Sequence, residues 1–240
     1  NVFAILGLTA LFFPIAVSRE NMKFEIPFCI AVSILLMLLV YNFFIVGEPR
    51  LGRWDGAALL LVFTSFMWIS LRRGKSSAAA GGESVEKENK SLWFAAFSIL
   101  GGLAALIVSS NFFVDEAVAI ARKLGVSDAF ISITLLACGT SLPELAASVT
   151  AAVKKDTDMA LGNIIGSNIF NATMILGTAS LITPLTTGKI GLVDYGAMIL
   201  AAVLPMIFGI RGKITRFEGL LMLLCYAAYT WYIVTYVMAA

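Results

Sequence analysis

A chain of 240 residues that is 60% hydrophobic and 13% charged, with a mean hydropathy of +0.93, cannot present most of its surface to water, since soluble domains are about 45–50% apolar and about 25% charged. The net charge of +2 is scattered over short loops, which excludes a nucleic-acid patch. With no histidine, imidazole metal centres, Ser-His-Asp and Cys-His catalysis and histidine proton relays are excluded, leaving carboxylates, hydroxyls, amides and carbonyls, the donor set of hard cations.

Apolar runs of bilayer-crossing length, about 20 residues, recur along the whole chain. They predict an all-α integral membrane protein with about eight transmembrane segments, near 1–16, 26–46, 54–71, 92–114, 129–153, 159–183, 192–210 and 217–238. The stretch RRGKSSAAAGGESVEKENKS, Arg72 to Ser91, is polar and rich in Gly, Ser and Ala. It predicts a flexible loop over 74–91 between residues 1–73 and 92–240. Trp54, Trp68, Trp93 and Trp231 fall near span ends, as an aromatic belt requires. Cys29, Cys138 and Cys225 sit in apolar segments without motif spacing and read as small buried hydrophobes. Loops on the side of 74–91 hold twelve Lys and Arg against five on the other. The central loop is therefore expected in the cytoplasm and the C-terminus outside, in a plasma or inner membrane.

Two segment pairs repeat. NVFAILGLTALFFP (Asn1–Pro14) and NATMILGTASLITP (Asn171–Pro184) agree at six of fourteen positions. RWDGAALLLVFTSFMWI (Arg53–Ile69) aligns with RFEGLLMLLCYAAYTWY (Arg216–Tyr232) through Arg, Gly, Leu and Trp. Residues 92–240 form a second unit of five spans, and an odd number requires the two units to cross the membrane in opposite senses. Residues 1–73 match only the C-terminal part of that unit. The expectation is a fragment of a ten-helix, inverted five-plus-five repeat, partnered by the bilayer and by the remaining N-terminal helices of the first repeat.

Polar chemistry concentrates between Leu135 and Gly177. Gly139, Thr140, Ser141 and Pro143 should interrupt a helix, because Pro143 lacks an N–H and opposes the carbonyl of Gly139. Carbonyls near Ala137 to Gly139 are then left for Na⁺ or Ca²⁺. Glu144 lies one turn beyond Thr140 and three residues beyond Ser141, so these groups can converge; Ser141-x-x-Glu144 also reads as a capping box. On the next span Asn163, Ser167 and Asn171 form an i, i+4, i+8 stripe beside Gly162 and Gly166. That stripe suits either a cation site or interhelical hydrogen bonding. Asn171-Ala172-Thr173 fits the glycosylation pattern but lies within a span. Asp115, Glu116, Asp128, Asp156 and Asp158 read as flanking or turn residues.

GTSLPEL followed about two dozen residues later by GNIIGSNIFN closely resembles the second α-repeat of the sodium/calcium exchanger branch of the cation/calcium exchanger superfamily. The resemblance implies a secondary antiporter exchanging Ca²⁺ for Na⁺ by alternating access, with both ions bound as substrates, no cofactor and no enzymatic activity. It makes Glu144 the main calcium carboxylate. Thr140, Ser141 and Ser167 would supply hydroxyls or carbonyls, and Ala137 a backbone carbonyl. Asn171 stands where potassium-dependent members carry Asp, and its counterpart Asn1 is also an amide, which leans toward potassium independence. The proton-coupled branch shows a GNxxE-type motif where this chain has GTSLPE. The first repeat's own GTSxPE and GSN elements would precede Asn1. Alternatives are a proton-coupled calcium antiporter and a non-transporting half-protein that pairs with another chain.

Overall fold

A computed structural model describes residues 1–41, 49–80, 92–126, 131, 139–188 and 190–238. Among them six helices are long and apolar enough to cross a membrane: Asn21–Tyr41, Arg53–Arg73, Trp93–Lys123, Thr157–Ile182, Leu192–Gly209 and Arg216–Tyr236. The shorter apolar helices Val2–Phe12 and Leu142–Val153 lie within the other two expected spans; most of the expected span between 129 and 138 falls outside the described residues.

In chain order, a π-helical turn (Val2–Leu6) leads into α1 (Gly7–Phe12) and strand β1 (Ile15–Ala16). A second π turn (Asn21–Glu25) leads into α2 (Ile26–Tyr41), then β2 (Arg50–Leu51), α3 (Arg53–Ala80) and α4 (Leu92–Lys123). The next helices are α5 (Leu142–Val153) and α6 (Thr157–Phe170), which passes through a third π turn (Asn171–Ile175) into α7 (Leu176–Ile182). Strand β3 (Leu185–Thr186), α8 (Leu192–Gly209), β4 (Lys213–Ile214) and α9 (Arg216–Met238) complete the order.

Three expectations need correction. The first span ends at Phe12, because Pro14 forces Phe13 into extended backbone (φ −129°, ψ 105°); Pro184 does the same to Thr183 (φ −139°, ψ 124°). The loop expected over 74–91 is helical as far as Ala80. Its Ser-Ser-Ala-Ala-Ala run is polar enough to leave the membrane yet rich in the best helix former, so α3 simply continues. The rest of that loop lies outside the described residues. The fourth span runs to Lys123 instead of stopping at 114, since nothing between Val114 and Lys123 breaks a helix.

The chain forms two compact units, residues 1–70 with 147–229, and residues 71–146 with 230–240. In the first, the repeated segments make reciprocal contacts. β1 pairs antiparallel with β4 (Ile15 opposite Ile214), and β3 pairs with β2 (Leu185 opposite Leu51). Val17 N–H donates to the Gly212 carbonyl at 2.9 Å, and Thr187 N–H to the Pro49 carbonyl at 3.4 Å. The helix starts that follow are capped alike: Asp55 Oδ2 accepts from Gly52 N–H at 2.8 Å, and Glu218 Oε2 from Thr215 N–H at 2.6 Å. Glycines set both crossings. A Cβ on Gly56 would stand 2.6 Å from the Gly177 carbonyl oxygen, and one on Gly219 2.8 Å from that of Gly7. Backbones this close leave no room for a side chain, the device by which membrane helices gain packing contact.

Large apolar side chains face outward, and a few hydroxyls lie inside a largely apolar core. Phe97 and Phe112 on α4 are 80% and 67% exposed, while Ser148, Thr173 and Ser180 are fully buried. Three buried hydroxyls are satisfied locally: Ser33 Oγ donates to the Cys29 carbonyl, Thr173 Oγ1 to that of Ile169, and Ser180 Oγ to that of Gly177, whereas Thr9 Oγ1 is buried without a partner among the described residues. Lipid offers no substitute for these three bonds.

Candidate functional site

In the first unit the site is built on α6. Asp156 Oδ1 caps it by accepting from Met159 N–H at 3.0 Å. Asp158, expected to be a turn residue, accepts from Asn21 Nδ2 at 3.1 Å and ties α6 to the second π turn. The stripe Asn163, Ser167, Asn171 is divided among different partners. Asn163 Nδ2 donates to Ser148 Oγ at 2.9 Å, joining α6 to α5. Ser167 Oγ accepts from Asn1 Nδ2 at 3.2 Å and donates to the Ile164 carbonyl at 3.0 Å. Asn171 opens the third π turn, and Asn1 immediately precedes the first. A π turn carries one residue more than an α turn and recurs at functional positions. The two amides paired by the sequence repeat thus sit at the same local irregularity.

Asn1 and Asn171 also line one cavity of about 490 Å³, together with Asn168, Ser33, Asp194 and Tyr229. Asp194 Oδ2 accepts from Gly191 N–H at 2.7 Å, and Oδ1 from the Tyr229 hydroxyl at 2.8 Å. The sequence analysis singled out neither Asn168 nor Asp194. Asn168 belongs to the motif but lies off the row counted from Asn163, and is brought to the cavity beside Asn171, three residues on. Asp194 reads in sequence as an ordinary first-turn acid; its signal was a carboxylate in an apolar span with a tyrosine on a later helix. Glu25, at the end of the second π turn, has a buried Oε2 without a hydrogen bond among the described residues, and a Cβ on Gly162 would stand 3.8 Å from it.

In the second unit Thr140 and Ser141 form the turn that precedes α5, where the break was expected. Leu145 N–H donates to the Ser141 carbonyl at 3.0 Å. Glu144 stands in the first turn of α5 with Oε2 buried, where the positive end of the helix favours an anion. Pro143 costs nothing there, since a first-turn residue has no intrahelical N–H partner. Gly139 is pressed by α4: a Cβ on it would stand 2.2 Å from Val114 Cγ2. Ala137 lies outside the described residues. Among the described residues no three His, Cys, Asp or Glu side chains gather to hold a metal. Within this unit the oxygen groups at the turn are the Glu144 carboxylate and the hydroxyls of Thr140 and Ser141, the ligand types of hard cations.

The profile of a family described as sodium/calcium exchanger protein matches residues 1–72 and 94–235, nearly the whole chain. The chain belongs to the sodium/calcium exchanger family. It is 34% identical over 239 residues to the "Putative antiporter CaxA" of Alkalimonas amylolytica, covering 95% of this chain and 73% of that protein. It is 39% identical over 135 residues to "Sodium/calcium exchanger MaX1" of Methanosarcina acetivorans, covering 55% of this chain and 39% of that one. A solved structure of the sodium-calcium exchanger NCX_Mj superposes with a TM-score of 0.75 at 31% identity, over 95% of this chain and 71% of that one. The protein is therefore a multi-pass membrane antiporter of the cation/calcium class, and its family is one of transporters rather than enzymes.

Proposed function

We propose that this chain carries ion-translocating helices of a calcium antiporter driven by sodium. The reading rests on the bond from Asn1 Nδ2 to Ser167 Oγ, which links a polar residue at the first π turn to one on the helix entering the third. Glu144 supplies the carboxylate. Thr140, Ser141 and Ser167 supply hydroxyl or carbonyl oxygens, Ala137 a carbonyl, and Asn171 and Asn1 amide oxygens. Both ions are substrates of the same ligands. Sodium is favoured as the coupling ion by the GTSLPE motif and by the names of MaX1 and NCX_Mj; that of CaxA specifies no ion. The amides at Asn1 and Asn171 favour operation without potassium. The excess of Lys and Arg on the loop side of residues 74–91 favours a cytoplasmic central loop and an external C-terminus.

Exchange becomes obligatory if an anionic site is costly to move through lipid without a cation. A carboxylate at the bilayer midplane costs about 2.5–3.5 kcal/mol by insertion measurements, and bound cations offset that cost. Glu144→Gln, in the full-length protein reconstituted in vesicles, is expected to abolish ⁴⁵Ca²⁺ uptake driven by an opposing sodium gradient. Uptake at the native rate would reject the assignment. Uptake that follows an imposed proton gradient and ignores sodium would instead reassign the coupling ion.

A further inference from the structure

Asp194 caps α8, as Asp55 and Glu218 cap α3 and α9. What distinguishes it is its position on the wall of the cavity that also holds Asn1, Asn168 and Asn171. From Asp194 the wall follows one face of α8 through Ala197 and Met198 to Ala201 and Ala202, about 12 Å at 1.5 Å per residue. Leu36, Ile175 and Leu176 also line the cavity. The cavity is thus lined by a carboxylate at the start of α8, by three amides and by aliphatic side chains. Its two hydrogen bonds occupy about half the lone-pair sites of an ionised carboxylate, so oxygens remain for a cation.

Resting on the antiport reading, we propose that this cavity is a cation vestibule, and that Asp194 is its loading carboxylate, drawing hydrated Ca²⁺ or Na⁺ from the side of the membrane at the α8 N-terminus toward Asn1 and Asn171. Low-dielectric walls around one sign of charge focus the field and raise capture rates, an effect that falls steeply with ionic strength. Tyr229 positions the carboxylate through its hydroxyl. Asp194 is thus a capture residue, distinct from the ligands that hold the ion during translocation.

The test uses the full-length protein in vesicles, with Ca²⁺ varied separately on each side. Asp194→Asn is expected to raise half-saturating Ca²⁺ about tenfold on the α8 N-terminal side alone, to leave the maximal rate nearly intact and to flatten its dependence on choline chloride. Asp194→Glu is expected to restore both. An unchanged half-saturation, or an equal change on both sides, overturns the proposal. A second measurement keeps Asp194 in place. With Cys29, Cys138 and Cys225 replaced by serine, Ala197→Cys is treated with cationic and anionic methanethiosulfonates. The cationic reagent is expected to react about tenfold faster; equal rates, or a faster anionic reagent, overturn the proposal even if Asp194→Asn fails to reach the membrane. Absence of any sodium-driven calcium flux in the unaltered protein would reject the antiport reading, while the reagent preference would still decide the vestibule.

Discussion

The π turns at Val2–Leu6 and Asn171–Ile175 occupy matched places in the repeat, yet they are held differently. Val2, Phe3, Ile5 and Leu6 are all buried in the first, whereas the second buries only Thr173. The first turn is therefore locked by apolar packing. The second buries Thr173, whose hydroxyl donates to the Ile169 carbonyl, rests Ala172 on the edge of the core around Leu36 and Leu59, and presents Asn171 to the cavity. The same backbone device serves as an anchor in one place and as an adjustable mount for a polar group in the other.

Deleting one residue from each turn breaks this comparison most severely, because removing the extra residue rotates all that follows by about one α-helical step. Deletion of Phe3 is expected to leave no folded protein in detergent, measured as loss of the monodisperse size-exclusion peak. Deletion of Ala172 is expected to leave a folded protein whose calcium flux falls below about a tenth, since Asn171 is turned away from its neighbours. Equal folding losses for the two deletions would show that both turns are anchors.

The glycine crossings come next. Gly56→Val places a side chain where even a Cβ would be 2.4 Å from Ser180 Oγ and 2.6 Å from the Gly177 carbonyl oxygen. The crossing must open, at about 3 kcal/mol, read as a lowered thermal midpoint by tryptophan fluorescence. Gly219→Val should cost a similar amount if the reciprocal contacts share the load evenly.

Much of this was legible in the sequence, and the parts that were not share a cause. Hydropathy located the apolar helices among the described residues, though not all their ends, and Gly139 to Pro143 located the turn before α5, because both signals are local. The Asn1 and Asn171 match emerged because amides in apolar segments are rare. The π turns were illegible, since one inserted residue leaves no compositional trace. Two-residue strands such as Ile15–Ala16 are too short to show a period. The Tyr229–Asp194 bond spans 35 residues and two helices, a pairing that only the packing of the chain reveals. The continuation of α3 to Ala80 was missed for another reason: polarity was read as loop when alanine was favouring helix.

A finer comparison asks whether Thr173 alone supports the second turn. Thr173→Val keeps the shape and removes the hydroxyl, leaving the Ile169 carbonyl to its helical partner. The expected cost is about 1 kcal/mol, with a reduced calcium flux because Asn171 sits two residues away. An unchanged midpoint and flux would mean that backbone geometry alone holds the turn.

The smallest expected effect is the most specific. Asn1→Ala, Ser167→Ala and the double variant form a cycle across the bond that joins the two turns' helices. Hydrogen bonds between membrane helices couple by about 0.6 kcal/mol, so each single change should barely move the thermal midpoint, and the double should cost less than their sum. If the bond also fixes where Ser167 stands for a cation, both single variants should weaken half-saturating Ca²⁺ alike, and the double should do no worse than either. Additive losses in half-saturation, with no stability coupling, would mean that Asn1 and Ser167 meet the ion independently.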